Sequence, residues 1–219
     1  HVFQHWQGAC GHPSNAIHLK YLQKVVTRPA ARTYRARDGN EVKPSMLFRQ
    51  GDNTWAGLTD VQFRVGNYGQ LAFTWEGEDY YVQYMPVGMQ EIVCPPEFMI
   101  AQMIEARVDH CILQAGGGAG AMNDYNAFAQ AAHPGRFTGL LHVDERALDR
   151  VLERHPQTRF LFVMGPSVGH FAPKGTWEIP PEAMTVYKRD NLQLEVMFPI
   201  TWGGVWDYPY PEAQALIRE

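Results

Sequence analysis

The residues best placed to do chemistry lie toward the end of the chain. In WGGVWDYPYP, Asp207 sits among Trp202, Trp206, Tyr208 and Tyr210, which could wall an apolar pocket around one carboxylate, and Gly203 and Gly204 would let backbone approach a ligand. An ordinary aromatic packing corner would read the same way. His170 lies in the Gly-flanked loop GPSVGHFAPK that follows an apolar strand pattern, where it could serve as a proton carrier or as a surface histidine. Glu195 alternates with Leu194 and Val196 in LQLEVMF, so it faces one side of an expected strand; buried there, it would be a general base. Trp177, Trp202, Trp206 and Tyr208 could line such a pocket, with Asn123 among the polar groups that could meet a ligand. The Gly-rich run AGGGAGA lacks both the G-x-G-x-x-G spacing and a Lys-Ser/Thr, so it is a weak nucleotide motif. No G-x-S-x-G elbow or Cys-His pairing points to covalent catalysis.

These residues need elements to position them. From Pro95 onward, strand patterns alternate with helical ones. A helix opens at Pro95-Pro96-Glu97, a short strand follows in HCILQ, and a helix runs from Asn123, whose side chain could cap it, to Ala132. RFTGLLHV is the next strand, then come a helix over 145–155, the strand RFLFVMG, a long loop, the helix PPEAMTVYKR, the strand LQLEVMF, another long loop and the helix PEAQALIRE. Such alternation predicts parallel βαβ units, whose ligand sites lie at the carboxyl ends of the strands. The earlier part differs. AIHLKYLQKVV is a short helix, and 33–90 is a β-rich insertion in which GNYGQLAFTW and EDYYVQY pair around a turn at Glu76 to Asp79. Between Val143 and RALDRVLERH no Gly, Pro, Asn or Ser turns the chain, so either Asp144 caps the helix or intervening units are absent.

Composition bounds the partners. A length of 219 residues with 45% hydrophobic content supports a real core, and a net charge of −4 without a block of Lys or Arg argues against nucleic acid or an anionic membrane. No apolar run nears the roughly 20 residues that cross a bilayer. The three cysteines, Cys10, Cys94 and Cys111, have no zinc or disulfide spacing and read as reduced thiols in a cytoplasmic protein. A small molecule is the expected partner.

The segments VDHCILQ, NDYNAFAQAAHPGRFTGLLHVDE and RALDRVLERHPQTRFLFV together resemble the amidohydrolase-related family, the branch of the amidohydrolase superfamily that includes aminocarboxymuconate-semialdehyde decarboxylase. The resemblance covers about residues 92–219 and the first few. It implies a (β/α)8 TIM-type barrel, here incomplete, forming a single domain over 1–219. It also implies a divalent metal, zinc or manganese, with His1 (in His1-Val2-Phe3) and His170 as ligands. The implied activity is hydrolysis or decarboxylation of a small aromatic or unsaturated carboxylic acid, walled by Trp177, Trp202, Trp206 and Tyr208, with His170, Asp207 and Glu195 near the chemistry. Met164 stands where many relatives place a metal-binding histidine, which leaves open a catalytically inactive relative that binds a small ligand or acts as a structural subunit. A partial barrel would expose sheet edges, so a homo-oligomer is expected to cover them.

Overall fold

The computed structural model describes residues 2–26, 32–49, 54–114, 120–143, 145–164 and 185–196, with residues 211, 214 and 218. Two sheets organise them. The first is antiparallel and five-stranded, in the order β2-β1-β5-β4-β3, built from β1 (Thr33–Arg35), β2 (Glu41–Val42), β3 (Arg64–Val65), β4 (Gln70–Trp75) and β5 (Glu78–Gln83). The aromatic hairpin is where the alternation placed it. Leu71 pairs with Val82 and Phe73 with Tyr80, and Leu71, Phe73 and Val82 all point into the core. Glu76 and Gly77 turn the hairpin with φ of 49° and 78°, the pair of positive values that a right-twisted two-residue turn demands.

Helix α1 (Asn15–Val26) covers this sheet. Its Leu22 and Val26 share one buried cluster with Trp6, Leu47, Leu71, Phe73 and Val82. Between them, the buried Gln23 amide donates to the carbonyls of Leu47 and Thr59 at 2.8 and 2.9 Å, which ties the helix to the loops that flank the sheet.

The second sheet is parallel, in the order β6-β7-β8-β9: β6 (Cys111–Leu113), β7 (Phe137–Leu140), β8 (Phe160–Met164) and β9 (Leu192–Val196). Helix α2 (Pro96–Glu105) precedes it, α3 (Asn123–Ala132) links β6 to β7, and α4 (Glu145–Arg154) links β7 to β8. On α4 the apolar residues Leu148, Val151 and Leu152 share one stripe among charged neighbours, and they bury against Phe160, Phe162 and Leu192. Close packing of α3 on β7 requires Gly139, since a Cβ there would lie 2.8 Å from the Asn126 Cβ. β7 pairs directly with β8, and α4 lies between them in the chain.

This architecture corrects the expectation of a (β/α)8 barrel. The described residues form an open four-stranded parallel sheet and a separate five-stranded antiparallel one. Strand–helix alternation is a local property that predicts parallel pairing, whereas closure depends on how many strands pair and whether the last meets the first. Among the described residues β6 and β9 each pair on one side only. The β-rich segment is likewise a sheet with its own core, sharing α1 and the amino-terminal residues, and not a decoration on a barrel.

Candidate functional site at the carboxyl edge of the parallel sheet

Four parallel strands open their carboxyl ends on one edge, where the loops that follow them emerge. Asn123, the first residue of α3, organises this edge. Its Oδ1 accepts the His142 N–H at 2.9 Å and its Nδ2 donates to the His142 carbonyl at 3.2 Å, so one carboxamide pairs with the backbone just past β7 as a neighbouring strand would. The expected helix cap is not its role, since the residue in the cap position is Met122 and no side chain caps α3 there. His142 is exposed at the rim that this clamp holds.

The amino-terminal segment joins the same rim. The Ala121 N–H donates to the Cys10 carbonyl at 2.9 Å, and Gly11 and Gly120 both adopt positive φ, 77° and 94°. A Cβ on Gly120 would strike the Cys10 carbonyl, and one on Gly11 the Ala121 carbonyl, so only glycines permit this approach. Val2 is wholly buried with Met103, Leu113, Ala129 and Phe137, so the chain just after His1 packs into the layer of β6 and β7. Phe3 and Cys94 exchange backbone hydrogen bonds at 2.8 and 3.1 Å, which anchors that stretch further.

Of the residues singled out by sequence, the structure brings Asn123 to this edge. Glu195 is exposed on β9, so the buried carboxylate that would make it a general base is not present. His1, His170, Trp177, Trp202, Trp206, Asp207 and Tyr208 lie outside the described residues. Sequence reasoning passed over His142, although a histidine just past the strand pattern RFTGLL is the signal that would have found it. Among the described residues, no three His, Cys, Asp or Glu gather where they could hold a metal ion. Burial pushes the Cys10 thiol up to about 11 and the Cys94 thiol up as well, which keeps both neutral and unlike thiolate ligands.

His12 and His18 form a stacked pair with ring centroids 5.4 Å apart. His18 is 0% exposed, and burial, then the neighbouring His12, pushes it down from 6.5 to about 4. Unfolding releases it to its ordinary value, so between these values the unfolded chain binds more protons than the folded one. The stability that the neutral ring contributes is complete above pH 6.5 and falls as the pH drops toward 4. The expected loss is about 1.4 kcal/mol per pH unit at its steepest, and thermal unfolding across this range should show a shallower slope for His18→Phe.

In comparison with known proteins, no family model, curated protein or solved structure matches this chain. No helix among the described residues is long and apolar enough to cross a membrane.

Proposed function

We propose that this chain binds a small aromatic or unsaturated carboxylic acid at the carboxyl edge of its parallel sheet and hydrolyses or decarboxylates it, as its resemblance to the amidohydrolase-related family implies. The observation that carries the reading is the Asn123 clamp on the His142 backbone. It sits on the two segments most characteristic of the resemblance, Asn123-Asp124-Tyr125 and the strand that leads to His142, and it holds the backbone of an exposed histidine just past β7. Imidazole is the side chain suited to carry a proton near neutral pH. In hydrolysis, His142 would take the proton of the attacking water and return it to the leaving group. In decarboxylation, the C–C bond electrons stay on the substrate carbon as carbon dioxide leaves, and His142 would supply the proton that carbon accepts.

The zinc or manganese that the resemblance implies would be held by His1 and His170, which lie outside the described residues, and among the described residues no three donors gather for an ion. Met164, which stands where many members of the resembled family place a metal-binding histidine, favours a second reading, a binding or structural subunit without turnover. A panel of aromatic acids and their esters or amides, assayed with and without added zinc or manganese for carbon dioxide or hydrolysis product, separates the two. Turnover is expected, with His142→Ala lowering kcat by about 10²- to 10⁴-fold. Asn123→Ala should lower stability by about 1–2 kcal/mol through loss of the paired bonds, and turnover with it. Binding without turnover would establish the second reading.

A further inference from the structure

We infer that the amino-terminal end of α1 is a binding site for a small monocarboxylate, held by the ring nitrogens of His12 and His18 and by the Trp6 indole N–H. The site stands apart from the chemistry assigned to His142 and requires no turnover.

Four nitrogens carry the inference. Trp6 Nε1, His12 Nε2 and both ring nitrogens of His18 are buried and have no hydrogen-bond partner among the described residues, while His18 and Trp6 are 0% and 1% exposed. Buried polar atoms are seldom left unpaired, since each orphan costs about 1–3 kcal/mol. Their common place is the start of a helix. His18 lies in the first turn of α1, where side chains lean back toward the amino terminus. Its ring meets His12 at 5.4 Å and, edge-on, Trp6 at 6.3 Å, and both of these come from the segment that leads into α1.

The helix end adds an electrostatic preference. Its N–H groups and dipole favour negative charge, yet α1 has no acidic residue in its first turn, where the Ser14 hydroxyl accepts only the Ile17 N–H, at 3.3 Å, among the described bonds. An indole N–H can only donate, and each imidazole donates from at least one nitrogen, so these groups ask for a ligand with acceptor oxygens. The groups packed about the two imidazoles are each other, Trp6 and Tyr21, whose ring lies 5.2 Å from His12. Cys10, close before His12, is kept as a neutral thiol by burial. Burial pushes both imidazoles down from their ordinary value, so two positive charges together are disfavoured here and a single negative charge is the better match. This favours a monocarboxylate over a phosphate dianion. Tyr21 stacks on to Trp55 at 5.6 Å, and Trp55 is 55% exposed, so the row of rings continues to the surface.

The test follows the Trp6 indole N–H by ¹⁵N NMR, assigned with Trp6→Phe, while sodium acetate, sodium benzoate or sodium chloride is added at constant ionic strength. A saturable downfield shift with acetate or benzoate and none with chloride is expected, with half-saturation at or below about 1 mM. His18→Phe, which fills the same space, should weaken binding at least tenfold, and His142→Ala should leave it unchanged. If His18→Phe does not fold, His12→Gln at the half-buried position is read in its place. No saturable shift, an equal shift with chloride, or undiminished binding in the histidine variant would overturn the site. A shift lost only in His142→Ala would also overturn it, by placing the carboxylate at the sheet edge.

Discussion

Gly120→Ala is expected to lower stability by roughly 2–4 kcal/mol and to disrupt the rim of the candidate site. The backbone there has φ of 94°, and the new methyl group would meet the Cys10 carbonyl, which is itself bonded to the Ala121 N–H. Neither partner can yield by rotating a side chain. The strand-end loop and the amino-terminal segment must therefore separate, and α1, with its His18, loses its support. Gly135→Ala is the control: φ is 77°, but a Cβ there meets nothing within 4 Å. Its cost should stay near 1 kcal/mol, the conformational penalty alone. Urea midpoints for the two variants decide the matter, and equal losses would mean that the close approach at Cys10 contributes nothing.

Phe160→Ala should cost about 3–5 kcal/mol. Phe160 is 0% exposed at the start of β8, packed with Leu148 and Leu152 of α4 and Leu192 of β9, with the His155 ring edge-on at 5.9 Å. Its removal leaves a cavity where helix and sheet meet, and β8 is the strand that pairs with both β7 and β9. Phe128→Ala, at a residue 54% exposed, should change stability by no more than about 0.5 kcal/mol. Chemical unfolding of both variants checks the contrast, and a small loss at Phe160 would contradict the packing of α4 on the parallel sheet.

Much of the local structure was legible in the residues. The alternation in Leu71, Phe73 and Val82 specified the hairpin, and the apolar spacing of Leu148, Val151 and Leu152 specified α4, because one buried face leaves its period in the sequence. Sheet closure left no such trace. β6 to β9 read as strands of a barrel because each βαβ unit looks alike whether the sheet closes or stays open. Side-chain roles were harder still. Asn123 carries the residue type of a helix cap, and only the position of β7 beside α3 reveals that its carboxamide is spent on the His142 backbone. Likewise, nothing in the spacing of Trp6, His12 and His18 shows that a turn into α1 folds them into one ring cluster.

The central claim is that the carboxyl edge of the parallel sheet receives a small carboxylic acid beside His142. Its most direct test is a ¹H–¹³C NMR titration of the histidine rings with benzoate, with His142 assigned by substitution. His110 serves as the internal reference, since its ring is fixed by the Gly135 carbonyl and the Thr138 hydroxyl, both at 2.9 Å, at the opposite end of the same strands. A saturable shift of His142 with His110 unmoved is the predicted result. A His142 resonance that stays in place as benzoate is raised to saturation elsewhere, or that moves only in step with His110, would contradict it.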